Sequence, residues 1–239
     1  MSIFDTAAAA CPVCGTEAEV EIVVSVNADR RPELRQQILD GTFQAVPCSH
    51  CGEKVRLPPE FVYFELKRRR WIATYPAEAV LQWQQAETQA GATYESAFGS
   101  GASPAIRELV QGLVPRVVFG WPALQEKLLC DDLGLQDSTL ELLKAAALAG
   151  TTGLMLIEDA ELRLSGGNAE TRAFDWLRAP TEAVMQSLTV ARQAYEDVAA
   201  DVQPWTAALR AQLEGRLYVD LTRALIGTSE DQDSHPGES

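Results

Sequence analysis

Four of the five cysteines in this 239-residue chain form two Cys-x-x-Cys pairs, Cys11 with Cys14 and Cys48 with Cys51. The pairs read CPVCG and CSHCG, so a glycine follows each one and permits the backbone conformation that ends a metal-binding knuckle. A turn of this spacing supplies two soft sulfur ligands, and two turns supply the four tetrahedral ligands that zinc prefers. The pattern predicts one Zn²⁺ ion held by four thiolates.

Two other interpretations of the cysteines remain open. Cys-Pro-Val-Cys is also typical of glutaredoxin-like redox sites, but those sites lie between a strand and the start of a helix. Here the next residues, GTEAEVEIVVSV, have the pattern of a strand, which favours a zinc ribbon. Structural disulfides are disfavoured in a cytosolic chain. Because four cysteines fill the coordination shell of zinc, the predicted site is structural and has no open position for water or substrate.

The sequence offers no convincing catalytic centre. The two histidines are His50, a predicted spacer in the second knuckle, and His235 near the carboxyl end, so histidine acid–base chemistry has no plausible residue. Cys130 stands apart from the pairs and is expected to be a small buried core residue. Paired acids stand where turns and helix starts normally place them: Asp131 and Asp132, Asp137 and Glu141, Glu158 and Asp159. We expect no enzyme and identify no small-molecule substrate.

The charge balance also limits the partners. The formal net charge is −14, with 11 acidic against 9 basic residues in residues 1–80 and 23 against 11 in residues 81–239. Phosphate binding depends on clustered positive charge, so this balance disfavours nucleic acid and membrane surfaces. The exception is the run Lys67, Arg68, Arg69 and Arg70 before Trp71. Its favoured interpretation is a solvated hairpin tip; a docking patch for an acidic partner and nucleic-acid binding are the alternatives.

Periodicity gives the elements that would position the knuckles. Strands are predicted at EAEVEIVVSVNA, TFQAVPC, EKVRLP, EFVYFEL and RWIATYP, with a helix at RPELRQQILDG inserted between the knuckles. We divide the chain into a zinc-ribbon module (1–88), a flexible loop or linker (89–104), a mainly helical region (105–226) and a disordered acidic tail (227–239). The absence of a long apolar run or a basic leader predicts a cytoplasmic protein.

The carboxy-terminal region is predicted to be mostly helical. A short strand at PRVVF is followed by a helix through Leu124–Leu129 and by a second helix opened by the capping box from Ser138 to Glu141. Residues 153–164 predict a small β-hairpin. Two long helices follow, one with an apolar stripe from Val184 to Val202 and one with an apolar row from Trp205 to Leu225. These stripes fit core packing, with dimerisation as the alternative.

The motifs resemble the bacterial and archaeal CpXC family, named for its Cys-Pro-x-Cys motif. The matching segments are CPVCG, SVNADRRPELRQQILDG, CSHCG, FVYFEL and WIATYP, with a weaker likeness over RVVFGWPALQEKLLCDDLGLQDSTLELLK. The second knuckle departs from the pattern, since Ser49 replaces proline, but both of its cysteines are present. The resemblance implies that Cys11, Cys14, Cys48 and Cys51 are metal ligands, and it implies no catalytic residue.

We therefore predict an α+β protein in which a zinc-ribbon-like, β-rich amino-terminal module with an inserted helix precedes a mainly α-helical region with a small β-hairpin. The leading functional hypothesis is a non-enzymatic protein whose zinc-stabilised module mediates association with a protein partner or with itself. A zinc-thiolate redox sensor is the alternative from another class.

Overall fold

The computed structural model describes residues 2–150, 160–179 and 181–226. The chain divides into two compact units, Met1–Asp131 and Asp132–Ser239. The knuckles lie in the first unit, and this division falls well beyond the 89–104 segment at which the sequence placed a linker.

The first unit is built on β-strands, which are β1 (Ile3–Ala10), β2 (Glu17–Asn27), β3 (Ala45–Pro47), β4 (Lys54–Arg56), β5 (Phe61–Glu65), β6 (Arg70–Tyr75) and β7 (Val114–Phe119). Five of them form one sheet in the order β1-β2-β5-β6-β7, and β3 pairs with β4 in a separate two-stranded sheet. The β1/β2 and β5/β6 pairs are antiparallel, whereas the β2/β5 and β6/β7 pairs are parallel. All five strands predicted before residue 76 are confirmed, although several are shorter than predicted.

The helices of the first unit are α1 (Pro32–Leu39), a 3₁₀ helix (Ala77–Gln82), α2 (Trp83–Phe98), α3 (Pro104–Leu109) and α4 (Gly120–Asp132), whose last residue opens the second unit. Helix α1 is the predicted insertion, with Pro32 in its first turn. It buries Leu34 and Ile38 in a core with Tyr63 of β5, Ile72 of β6 and apolar residues of α4.

One strand of this unit was not predicted, and one predicted segment differs from the structure. The Ala-rich segment before Cys11 is strand β1, because it pairs along its length with β2, an interaction that local preference does not reveal. The segment 89–104 is helical over its first ten residues, since α2 runs to Phe98. Helix α2 includes the small residues Ala86 and Ala90, and both are buried. Glycine and serine here break the helix only after Phe98.

The second unit contains α5 (Asp137–Gly150), β8 (Ala160–Gly167), β9 (Thr171–Arg178), β10 (Ala183–Ala191), α6 (Arg192–Ala200), α7 (Pro204–Leu213) and α8 (Leu221–Ile226). The three strands form an antiparallel sheet in the order β10-β9-β8. This sheet replaces the small hairpin of the prediction, so the region is less helical than expected. The structure is thus a mixed α+β protein.

The apolar stripe from Val184 is the clearest error. Residues 183–191 are a strand, paired with β9, and the helix begins only at Arg192. Val184, Thr189 and Val190 are β-branched and favour a strand, and the apolar positions Leu188 and Val190 also fit a period of two.

The predicted second long helix is two shorter helices, α7 and α8. They are separated by Gly215, which has a φ of +75°. The first strand of the predicted 153–164 hairpin and the predicted tail at 227–239 lie outside the described residues.

Candidate metal centre

The first knuckle is the turn that joins β1 to β2. Cys11 directly follows β1, and its N–H donates to the carbonyl of Thr16 over 3.0 Å, while the Gly15 N–H donates to the Cys11 carbonyl over 2.8 Å. Gly15 has a φ of +72°, which a residue with a side chain rarely adopts. The turn is therefore closed by its own backbone, and both thiols face the same end of the hairpin, where they meet the second knuckle.

The second knuckle repeats this geometry between β3 and β4. The Cys48 N–H donates to the Glu53 carbonyl over 2.8 Å, and the Gly52 N–H donates to the Cys48 carbonyl over 2.9 Å. Gly52 has a φ of +75°. The two cysteine turns are thus the same structure placed on two hairpins, as the repeated Cys-x-x-Cys-Gly sequence indicates.

The structure brings the four predicted sulfur atoms into one cluster. The Sγ atoms of Cys11 and Cys51 lie 3.8 Å apart, those of Cys14 and Cys48 lie 3.7 Å apart, and all four lie within 4.8 Å of one another. A regular tetrahedron of sulfur around zinc, with bonds of about 2.3 Å, has edges of about 3.8 Å. The arrangement therefore fits a metal ion at its centre.

Neighbouring groups shape the sulfur chemistry. The backbone N–H of His50 donates to Cys48 Sγ over 3.4 Å, which is the type of amide contact that stabilises a thiolate. The Thr16 hydroxyl lies 3.4 Å from Cys14 Sγ. His50 is itself exposed, and its imidazole is not one of the four clustered donors.

The thiols have divergent acidities because they share a small volume. Hydrogen bonding to the Thr16 side chain and backbone lowers the pKa of Cys14 to about 6. Backbone amides of Cys51 and His50 lower the pKa of Cys48. At Cys51 a backbone hydrogen bond at Glu53 acts to lower the pKa, but desolvation and the adjacent thiols outweigh it and raise the pKa to about 12. Four thiolates at this separation need a cation to coexist.

An apolar cavity of about 140 Å³ adjoins the cluster. Side chains from both hairpins line it, and most are small and apolar: Ala9, Ala10, Ala18, Val46, Pro47 and Val55. The side chain of Val13, at the tip of the first knuckle, is 65% exposed. The cluster therefore has an open apolar surface on the same unit.

The basic run forms the turn of the β5/β6 hairpin, and Lys67, Arg68 and Arg69 are exposed, so the predicted solvated tip is confirmed. Arg68 pairs with Glu65 over 3.1 Å, and Arg70, which is largely buried, pairs with Asp131. The Arg69 guanidinium donates to the Leu109 carbonyl over 3.0 Å. Trp71 is only 3% exposed and so presents no ring for stacking on a base. Most of the positive charge of the run is used inside the first unit.

The other described candidate residues are buried or make contacts of the kind that support the fold. Cys130 is fully buried on α4 and is not part of the sulfur cluster. Burial raises the pKa of Asp131, and its pairing with Arg70 opposes that rise. Asp137 accepts the N–H of Ser138 near the start of α5, and Asp132 is exposed. Glu158 and Asp159 lie outside the described residues.

Sequence reasoning missed a buried charged cluster in the second unit. Lys144 pairs with Glu141 over 2.7 Å, and Arg163 pairs with Asp220 and with Glu161. The one local signal was the spacing of three residues between Glu141 and Lys144 on an apolar helix. The pairing of Arg163 with Asp220 cannot be found by periodicity, because the two residues lie 57 positions apart.

The fold and the site together define a mixed α+β protein with four closely spaced cysteines that can hold a metal ion. The family model described as "CpXC protein" matches residues 9–144, more than half of the chain, and this chain belongs to that family. The match includes all four clustered cysteines and extends through most of α5. No curated protein and no solved structure matches the chain. Within the described residues, no helix combines the length and apolarity needed to span a membrane.

Proposed function

We propose that this chain is a non-enzymatic cytoplasmic protein in which one structural zinc ion, bound by Cys11, Cys14, Cys48 and Cys51, stabilises a module for protein association. The observation that carries the proposal is the pair of matching knuckles, whose sulfur atoms are spaced like the corners of a zinc–thiolate tetrahedron. Four soft thiolate ligands favour zinc over oxygen-preferring cations. With four protein ligands, the ion has no position for a substrate.

The hairpin that carries the second knuckle explains why a metal is needed. Strands β3 and β4 have three residues each, and an isolated two-stranded hairpin of that size is marginally stable in water. A zinc ion would join this hairpin to the β1/β2 hairpin, which belongs to the five-stranded sheet. Zinc binding of this type supplies free energy on the order of 10 kcal/mol to folding.

The association part of the proposal is supported by the surface beside the cluster. The exposed side chain of Val13 and the small apolar cavity lie on the two hairpins that the metal would join. A surface of this kind gains free energy when a partner covers it. Binding there would depend on the metal, because the metal fixes the relative position of the two hairpins.

The first test is the metal content of protein purified under reducing conditions without added zinc. We expect about one zinc per chain in the native protein, close to none in Cys51→Ala, and about one in the matched control Cys130→Ala, whose thiol is buried elsewhere. Little metal in the native protein, with disulfide-linked or freely reactive pairs, would overturn the structural-zinc proposal.

The second test addresses association. Tagged native protein should retain a stoichiometric partner or self-associate in light scattering, and Val13→Asp should weaken that association while leaving zinc content unchanged. Val24→Asp, at an exposed position of β2, is the control for an added charge. A strictly monomeric protein that retains no partner in the zinc-loaded form would contradict this part of the proposal.

A redox sensor is the second candidate, favoured by the 3.7 Å contact between Cys14 and Cys48, since Cys14 is exposed and Cys48 partly exposed. Hydrogen peroxide would oxidise these two thiolates by two electrons, and one S–S bond would form between them. The peroxide would take up the two electrons and two protons from the buffer and become two water molecules. Zinc would lose two ligands and dissociate. Release at low peroxide concentrations, reversed by a thiol reductant, would support this candidate; resistance equal to that of an ordinary closed zinc site would eliminate it.

A further inference from the structure

The two larger described sheets end in four edge strands, and three of these strands carry features that prevent pairing with another chain. Strand β7 contains Pro115 and Arg116, and β1 contains Asp5. Strand β8 carries Glu161 and Arg163. Charged residues and proline on an edge are the usual means by which a sheet avoids edge-to-edge association.

Strand β10 lacks this protection. Its nine residues, AVMQSLTVA, include no charged residue and no proline, although the chain as a whole carries a net charge of −14. Among residues 2–150, 160–179 and 181–226 its strand partner is β9 alone, so no described strand pairs with its other edge. Within the described part of the second unit, the exposed large apolar side chains are Val184, Val202 and Trp205, all on or soon after this strand.

The hydrogen-bond register identifies which backbone groups face outward. The Arg192 N–H donates to the Glu170 carbonyl over 2.7 Å, in continuation of the β10/β9 ladder. Because bonded and non-bonded pairs alternate along an antiparallel ladder, Val190 and Leu188 bond to β9, while Ser187 and Thr189 direct their N–H and C=O groups away from it. These two residues place backbone donors and acceptors on the outer edge of the strand; Ala191 is the N-cap of α6, so its C=O is used by that helix.

We infer that β10 is the self-association surface of this protein and that its occupant is β10 of a second copy, paired antiparallel about a two-fold axis. The ends of the strand supply the charge complementarity. Glu182 precedes β10, and Arg192 follows it and pairs with Glu196 over 2.9 Å; because this pair is exposed it contributes little free energy, so Arg192 can exchange it for Glu182 of another copy. Antiparallel pairing brings the Glu182 end of one copy beside the Arg192 end of the other, whereas parallel pairing would bring like charges together. The uncharged strand between them gives two acidic chains a surface without mutual repulsion.

This inference rests on the proposed function only in taking the chain to act through association, and it is independent of the cysteine cluster. It adds a second association surface, on the second unit, whose partner is another copy of this chain, and it joins two three-stranded sheets into one of six strands. Screening reduces repulsion between acidic copies, so we expect dimerisation to strengthen as salt rises from low concentration.

The test uses the full-length, zinc-loaded chain in analytical ultracentrifugation over a range of concentrations. Thr189→Pro removes one outward N–H per copy without removing a bond to β9, and proline is tolerated at such an edge position. Because an isologous interface contains each substitution twice, we expect the dimer dissociation constant to rise about tenfold or more. Thr189→Val keeps the N–H and a β-branched side chain, so it should dimerise like the native protein.

Thr189→Lys provides a second disruption that does not depend on proline, since it places two like charges at the paired strands. Near-ultraviolet circular dichroism of the variants checks that the fold is unchanged. A native protein that is monomeric at all concentrations, or a dimer that both disruptive variants leave intact, would overturn the inference. The second result would leave the proposed association function standing, and loss of zinc binding in Cys51→Ala without loss of the dimer would separate the two proposals.

Discussion

The two units of the chain hold their clustered ionisable groups in opposite ways. In the first unit four thiols of one kind meet at the ends of two hairpins, and three of the four are exposed or partly exposed. In the second unit a buried cluster contains both signs of charge, with Lys144 beside Glu141 and Arg163 beside Asp220. All four of these residues are at most 5% exposed.

The difference concerns where the neutralising charge comes from. Thiolates 3.7–3.8 Å apart repel one another, so the first cluster is complete only with a cation from solution. The second cluster carries its own counter-charges, and the Leu221 N–H adds a hydrogen bond to Glu141 over 2.9 Å. The first unit should therefore respond to metal supply, while the second should respond only to changes in its own side chains.

The largest expected effect comes from removing the metal. A strong chelator should withdraw binding free energy on the order of 10 kcal/mol from the first unit. We expect amide protons of β3, β4 and both knuckles to exchange much faster in hydrogen-exchange mass spectrometry, whereas those of β9 keep their protection. Cys130→Ala should show the same pattern as the native protein. Unchanged exchange at the knuckles after verified zinc loss would show that the stability of the first unit does not depend on a bound metal ion.

A smaller but still large effect is expected from Lys144→Met. It leaves the buried Glu141 carboxylate without its cation, and breaking a buried pair from one side costs about 3–5 kcal/mol. Urea unfolding followed by tryptophan fluorescence should show this loss, with zinc content unchanged.

The double variant Glu141→Gln with Lys144→Met is the matched control. It removes both charges and keeps an oxygen that can accept the Leu221 N–H, so it should recover most of the lost stability. Equal destabilisation by the single and double variants would mean that packing, and not charge, holds this cluster together.

The smallest expected effect is at the knuckle glycines. In Gly52→Ala the added Cβ meets no atom within 4 Å. The unfavourable free energy therefore comes only from holding alanine at a positive φ, and it is about 1 kcal/mol. Metal affinity measured by competition with a chromogenic chelator should fall about five- to tenfold. Gly101→Ala, equally open but without a positive φ, should leave affinity unchanged. No loss in Gly52→Ala would show that the knuckle tolerates another backbone conformation.

The same comparison explains what the sequence could predict. The cysteine site was predictable because its information is local: each knuckle is a six-residue turn with its own closing hydrogen bonds and glycine. The helix inserted between the knuckles was equally local, being marked by Pro32 and Gly41 at its ends. The charged cluster of the second unit was not predictable, because its contacts join residues 57 and 80 positions apart.

Strand β10 shows a different reason for failure. Val184, Leu188 and Ala191 fit a helical spacing, but Leu188 and Val190 also fit the alternation of a strand. Pairing with β9 decides between them, and that pairing depends on partners up to twenty residues upstream. Strand β1 was missed for a related reason, since a run of alanines has weak local preference and takes its conformation from β2.

The repeated knuckle has a consequence for synthesis on the ribosome. Cys11 precedes its contact partner Cys51 by 40 residues, so at roughly 5–20 residues per second it is synthesised about 2–8 s before Cys51. During that interval the nascent chain carries the two thiols of the first knuckle without those of the second. If the cluster binds zinc as proposed, each newly made molecule passes through a stage in which Cys11 and Cys14 must stay reduced until Cys48 and Cys51 emerge.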